Sequence, residues 1–273
     1  MRYAICNETF EGWDHARVCR QVAELGYMGL EIAPFTLAPR ITDVTAEQRT
    51  KIRQDAEACG LRIFGLHWLL AKTEGFQLTS PDAAVRQRTA DYLIELARCT
   101  RDLGGDLMVF GSPAQRKIPP GATAAQATDY AVDVFQKAAP HFEANGVMLC
   151  LEPLSPQETD FINTCAEAEA IIRRLNHRSF ALHLDVKAMS TEPTPTTDLI
   201  RRHGPAAGHF HANDANRRGP GFGNTDFVPI FKALKESKYP GWVSVEVFDY
   251  TPDPVTIARD SIRYMRACEA KAG

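Results

Sequence analysis

A chain of 273 residues that is 44% hydrophobic and 24% charged has enough apolar material for one sizeable core, and α/β barrels close with about 250 residues. The formal net charge is −3 with no Lys/Arg run, so the electrostatic footprint of a nucleic-acid binder is missing. Seven scattered cysteines form no C-x-x-C pair, which fits a reduced cytoplasmic protein better than a disulfide framework. Residues Met1 to Phe10 lack a leader pattern, and no stretch approaches the roughly 18 apolar residues of a membrane helix.

Short β-branched or aromatic runs alternate with longer helical patterns. Tyr3–Glu8 predicts the first strand, and Asp14–Leu25 the first helix, with Gly26 as its stop. Gly29–Phe35 predicts strand two, Thr45–Cys59 a helix with Thr45 as N-cap, and Arg62–Leu69 strand three. Ala84–Leu103 predicts a long amphipathic helix, Leu107–Gly111 strand four, and Ala125–Ala144 the next helix. Val147–Leu154, Phe180–Val186, Gly208–Asp214 and Trp242–Phe248 predict the last four strands. The helices between and after them are predicted over Cys165–Leu175, Thr197–His203, Phe227–Glu236 and Pro254–Glu269.

Eight strand–helix units in this length average roughly 34 residues each, the size of a βα unit. Continuous apolar strands separated by helices imply a parallel sheet buried on both faces. The expected fold is therefore a single (β/α)8 TIM barrel domain over residues 1–273. The rival is an open doubly wound sheet, but no G-x-G-x-x-G follows the first strand. Pro119-Pro120-Gly121 and Glu192-Pro193-Thr194-Pro195 read as loops, not as domain boundaries.

The late strands end in ionisable residues. Val147–Leu151 leads to Glu152, Ala181–Leu184 to Asp185, His209-Phe210 to His211, and Trp242–Val245 to Glu246. A carboxylate at the end of an apolar run is expensive to bury unless paired or metal-bound. In a barrel these strand ends converge on the face that carries active sites. A lone one is more often a helix cap or ion-pair partner. Four on four successive strands predict one divalent metal held by Glu152, Asp185, His211 and Glu246. An oxygen-rich set suits Mn²⁺, Mg²⁺ or Co²⁺ better than structural Zn²⁺. His209 and His211 share a face, and one of them can equally be a core histidine.

These residues resemble the xylose isomerase-like TIM barrels, which include tagatose/psicose 3-epimerases and hydroxypyruvate isomerases. The motifs are Glu152-Pro153-Leu154 with Glu158 and Asn163-Thr164, His183-Leu184-Asp185, and His211-Ala212-Asn213-Asp214. Arg217, Pro220-Gly221-x-Gly223, Asp226 and Val245-Glu246 also match, and Asn7–Phe10, Glu31-Ile32 and His67-Trp68 match more loosely. The resemblance implies that the quartet holds the metal, Mn²⁺ first, and that Glu152 and Glu246 are the catalytic acid/base pair on opposite faces of the substrate. The metal would polarise a carbonyl and stabilise an enediolate. Arg217 would contact a substrate oxygen, and Glu158 a substrate hydroxyl or a ligand. A homodimer or homotetramer is implied as well.

One position departs from the family. The epimerases carry a His three residues after the strand-six Asp, where this chain has Ala188. Lys187 beside it is either an additional substrate-binding cation or an exposed loop lysine. His67 and Glu8 are expected to bind substrate, or else to serve as a core histidine and an ion-pair partner. Phe10, Trp13, Phe35, Trp68, Phe76 and Phe248 are candidates for an apolar wall. Gly219–Gly223 reads as a mobile loop.

The expected function is a metal-dependent isomerase or epimerase of a keto sugar or similar polyhydroxy carbonyl compound. The alternative is a lyase using the same site, by β-elimination from a 3-oxo-glycoside or decarboxylation of an oxo sugar acid. A DNA-repair endonuclease on this barrel would need more metal ligands and a basic groove. A sugar-binding barrel without turnover is the non-enzymatic reading.

Overall fold

The computed structural model describes residues 1–273. Eight parallel strands close a barrel in strict chain order. They are β1 (Arg2–Cys6), β2 (Gly29–Ile32), β3 (Arg62–Leu66), β4 (Leu107–Phe110), β5 (Met148–Leu151), β6 (Phe180–Asp185), β7 (Ala207–Ala212) and β8 (Trp242–Val245). β8 pairs with β1 through Trp242–Arg2 to Val245–Ile5, so the sheet has no edge. The helices are α1 (His15–Glu24), α2 (Ala46–Ala58), α3 (Ala83–Asp102), α4 (Ala124–Asn145), α5 (Cys165–Leu175), α6 (Val186–Met189), α7 (Thr196–His203), α8 (Phe227–Glu236) and α9 (Pro254–Lys271). No helix is long and apolar enough to cross a membrane.

Helix starts follow local chemistry. Thr45 and Thr123 open α2 and α4 with reciprocal bonds to Gln48 and Gln126. Asp226 accepts from the Val228 N–H at 2.9 Å and caps α8. The main hydrophobic cluster lies between sheet and helices, as in any barrel whose outward strand face is covered. A second cluster of Ala4, Phe64, Leu107, Val109, Cys150, Ala181 and Trp242 plugs the barrel interior near its amino end. Strand alternation then carries inward positions from this plug to the opposite mouth. The series Ala181-His183-Asp185, Cys150-Glu152 and Trp242-Ser244-Glu246 are apolar or small below and ionisable above.

Three expectations are corrected. Strand one stops at Cys6, and Glu8 sits in a 3₁₀ turn over Asn7–Phe10. Asn7 bends the chain there, since its Oδ1 accepts from the Ala33 N–H and its Nδ2 donates to Thr36, both at 2.8 Å. Strand three ends at Leu66, so His67 begins the following loop and Trp68 adopts a left-handed φ of 52°. An additional short helix, α6, precedes α7 because the Asp185 side chain accepts from the Ala188 N–H at 2.7 Å. The Gly219–Gly223 loop packs against α9, with Gly221 against the Tyr264 ring and Gly219 against Ser261.

Candidate metal and catalytic centre

At the carboxyl ends of the strands, Glu152, His183, Asp185 and His211 bring one ligand atom each within 4.8 Å of one another, all buried. Glu246 Oε2 lies 3.1 Å from His211 Nδ1. The predicted quartet thus converges, although its members come from β5, β6, β7 and β8. A register irregularity between Leu182 and His183 sets Asp185 opposite His211, the kind of bulge that re-aims side chains beside a site. Gly111, just past β4, leaves room for Glu152: a Cβ there would lie 2.2 Å from Glu152 Oε2.

Hydrogen bonds fix these side chains from behind. Asn213 Nδ2 donates to Asp185 Oδ2 at 2.5 Å and reaches Glu246 Oε2 at 3.5 Å. Its Oδ1 accepts from the Lys187 N–H at 2.8 Å. His211 Nε2 lies 3.0 Å from Glu31 Oε2, and His209 Nε2 contacts the same oxygen at 3.0 Å. Holding the far nitrogen of a ligating imidazole on a carboxylate fixes which nitrogen faces the metal. His209 is therefore a core histidine that helps to anchor Glu31.

The residues fit a cation. Both ring nitrogens of His183 and the Nδ1 of His211 are buried with no hydrogen-bond partner, although His211 Nδ1 is close to Glu246. Buried polar atoms of this kind need a partner. Burial lowers His211, but Glu246 and Glu31 overcome it and hold its proton well above the usual histidine range. A divalent ion bound by Glu152, Asp185, His211 and Glu246 would replace that proton. Burial, then the imidazole beside it, keeps His183 well below the usual range and hence neutral.

The two candidate acid/base carboxylates are unequal. Burial raises Glu152 well above the usual carboxylate range, and repulsion from Glu246 and Asp185 adds to it. Burial also acts on Glu246, but the imidazoles of His211 and His67 outweigh it and hold this carboxyl well below that range. His67 bridges Glu8 Oε2 at 2.8 Å and Glu246 Oε1 at 3.2 Å. Trp68 Nε1 donates to Glu246 Oε1 at 2.9 Å. His67 and Glu8 are both buried, and through these contacts they orient Glu246, with Glu8 also bordering the mouth.

Two cavities open beside the quartet. One of about 220 Å³ is walled by Phe35, Trp68, Phe248 and Tyr250. The other, of about 380 Å³, holds Glu158, Lys187 and Arg217. Phe10 and Trp13 pack on each other in a neighbouring cavity, and Phe76 stacks on Tyr92 away from the mouth. Lys187 is not the exposed loop lysine: it is 8% exposed and bonds Glu158 Oε1 at 2.7 Å. A cavity of about 430 Å³ at the opposite end of the barrel is lined by Arg2, Arg62 and Arg178. Arg62 and Arg178 are already paired with Asp106 and Glu143, so it offers no reactive group.

Sequence reasoning assigned no role to Glu31, His183 or Arg116. Glu31 interrupts an apolar run, and His183 lies two residues before Asp185 on the same face. Both carried the signal that revealed the quartet. Arg116 lies in an irregular loop and carried none. It is fully buried and clamps the Glu152 and Ile162 carbonyls at 2.6 and 2.8 Å.

A family model described as xylose isomerase-like TIM barrel matches residues 19–268. The chain is 30% identical to the D-psicose 3-epimerase of Agrobacterium fabrum over 237 residues, or 84% of this chain and 77% of that protein. It is 30% identical to the 3-dehydro-D-guloside 4-epimerase of Escherichia coli over 123 residues, 45% of this chain and 47% of the relative. A crystal structure of D-psicose 3-epimerase in the presence of D-fructose shares the fold, with a TM-score of 0.86 over 100% of both chains at 23% identity. With the family model matched over residues 19–268 and a relative 30% identical across 84% of its length, the chain belongs to the xylose isomerase-like TIM barrel family.

Proposed function

We propose that this protein is a divalent-metal-dependent isomerase or epimerase of a keto sugar or a related polyhydroxy carbonyl compound. The observation that carries the reading is the unequal carboxylate pair. Glu152 and Glu246 belong to one cluster around His211 and Asp185, yet burial and like charges push the first carboxyl up while the imidazoles of His211 and His67 pull the second down. Titratable neighbours whose environments push them apart are the pattern of an acid and a base. A similar sugar 3-epimerase and a similar 4-epimerase of an oxo-glycoside support the substrate class.

A bound divalent ion, Mn²⁺ in first place with Mg²⁺ or Co²⁺ as alternatives, would supply Lewis-acid polarisation of a substrate carbonyl. Glu246, ionised and aimed by His67 and Trp68, takes the proton from the carbon beside that carbonyl. Glu152 is the partner group that delivers a proton. Delivery to the opposite face of the same carbon epimerises it; delivery to the neighbouring carbon isomerises the sugar. Trp68 and Phe248, stacked with centroids 5.9 Å apart, offer an apolar wall for a sugar ring and keep water from the acidic carbon. Glu158, Lys187 and Arg217 border the other half of the mouth and bind substrate oxygens.

A second reading follows from Ala188, which puts a methyl group at the position three residues after Asp185 where a substrate-contacting His was expected. The same deprotonation can end in loss of a β-substituent or of CO₂, which makes the protein a lyase. Proton NMR in D₂O with Mg²⁺ tests both readings on ketoses, 3-oxo-glycosides and oxo sugar acids. The expected result is deuterium uptake beside the carbonyl with interconversion of two isomers, abolished by chelator. Glu246→Gln and Glu152→Gln each lower the rate by about 10²–10⁴-fold with an unchanged circular dichroism spectrum. Release of a leaving group with each proton selects the lyase. Protein purified without bound metal that turns over none of these compounds rejects both.

A further inference from the structure

Ala188 and Lys187 together change the recognition chemistry of the mouth. Lys187 is the second residue of α6, and its ammonium is carried to the site edge, 2.7 Å from Glu158 Oε1 and 4.5 Å from the Phe248 ring centroid. A lysine 8% exposed is expensive to bury for packing alone, and the carboxylates of Asp185 and Glu158 favour its charged form. Glu158 in turn is held by the Ser155 hydroxyl at 2.7 Å and the Ser155 N–H at 3.2 Å. The cation is therefore fixed in place, not swinging in solvent.

Arg217 stands across the same cavity. Its backbone takes a left-handed φ of 72°. Its N–H donates to the Asp214 carbonyl at 2.9 Å, and its carbonyl accepts from Phe248 and Asp249 at 2.9 and 3.1 Å. These three backbone hydrogen bonds hold the residue at the mouth. Its guanidinium makes no ion pair or side-chain hydrogen bond, and its nearest ring is Phe248, 5.8 Å away. Arg217 lines both the aromatic cavity and the polar one. Ala215 is the single apolar residue lining the polar cavity, which also carries the hydroxyls of Ser190 and Thr191.

We propose that the substrate carries a carboxylate, received in this cavity by Lys187 and Arg217 while its carbonyl lies toward Glu152 and Glu246. The inference rests on the isomerase or epimerase reading above and narrows its substrate class to keto sugar acids. A planar guanidinium without a partner is suited to bidentate binding of a carboxylate. A fixed ammonium beside it supplies the second contact. A carboxylate placed there meets both cations with charge-assisted hydrogen bonds, whereas a hydroxymethyl group meets them only as a neutral partner.

Calorimetric titration of the Mn²⁺-loaded protein tests this with three ligands: a ketohexuronate, the ketohexose with a hydroxymethyl group in place of its carboxylate, and that ketohexose as its terminal phosphate. The ketohexuronate is expected to bind about 10- to 100-fold more tightly than the ketohexose. In Lys187→Met that preference falls by about tenfold. Because this change strips Glu158 of its partner, the double variant Lys187→Met/Glu158→Gln is measured beside it, with a thermal melt, and shows the same fall. Equal binding of acid and neutral sugar overturns the proposal, as does a preference that survives in both variants or tightest binding of the phosphate. Selective binding without deuterium exchange keeps this inference and removes the reaction assigned above. Exchange on the ketohexose at the rate of the acid does the reverse.

Discussion

Gly111 is glycine because of Glu152. An added Cβ would fall 2.2 Å from one carboxylate oxygen and 3.4 Å from its carbon, so Gly111→Ala must turn the Glu152 side chain away. A misplacement of about 1 Å at the reacting groups costs on the order of 10²-fold in rate. The variant is expected to fold normally, to lose turnover by about that factor, and to keep the ligands from the other three strands. Steady-state rates beside a circular dichroism spectrum measure it; a variant with unchanged kcat means that Glu152 does not act from this position. The residue scale also shows what a sequence carries and what it conceals. Glu152, Asp185, His211 and Glu246 stand out because each closes an apolar run with a charge. Glu31 stands inside such a run and is legible by the same rule once its pairing with His209 and His211 is known. Arg116 is not legible, because a polar residue in a loop looks solvated until the fold closes over it. The environment of Lys187 was equally hidden, since Glu158 lies 29 residues away and meets it only in the folded barrel.

Elements were more legible in kind than in extent. All eight strands appear where apolar runs predict them, and strand ends shift where side-chain hydrogen bonds outcompete the ladder, as Asn7 does after β1. The four-residue α6 has no periodicity to find and depends on the Asp185 cap. Between helices, ion pairs set local angles more than they set total stability. Arg49 on α2 shows this, with Nη1 on Asp102 of α3 at 3.0 Å and Nε on the Val44 carbonyl at 3.0 Å. Burial tends to raise Asp102, but Arg101 and Arg49 outweigh it and hold the carboxyl below its usual range. A carboxyl lowered by folding stabilises the protein above its unfolded pKa, and that contribution disappears as pH falls through the folded one. Asp102→Asn is therefore expected to lower stability by no more than about 1 kcal/mol near neutral pH, since the pair is partly solvated. The gap to wild type should close in acid. Urea melts across that pH range read the difference, and a gap that widens in acid contradicts the sign.

At the scale of the molecule, the barrel assembles four strands' worth of ligands at one point and must tolerate their repulsion. Glu152 and Asp185 are both raised by burial, and Glu246 adds repulsion to each. A carboxyl raised by folding favours the folded state below its unfolded pKa, and this is lost as pH rises through the folded value. The metal-free protein is thus expected to lose stability as pH climbs, and Glu152→Gln, which cannot ionise, to lose less. A divalent ion compensates the same repulsion and adds the mass-action stabilisation of any ligand that binds only the folded state. At a hundredfold excess over its dissociation constant that is about 2.7 kcal/mol. For a chain of this size it raises the melting temperature by roughly 5–10 °C. The discriminating measurement is a set of melts of wild type and Glu152→Gln, with chelator and with Mn²⁺, from acid to mildly alkaline pH. With chelator, Glu152→Gln should melt above wild type, and increasingly so as pH rises. With Mn²⁺ the order should reverse, because the variant has lost a negatively charged ligand. A wild-type melting temperature indifferent to both Mn²⁺ and chelator would mean that the four strand-end residues balance their charges without an ion.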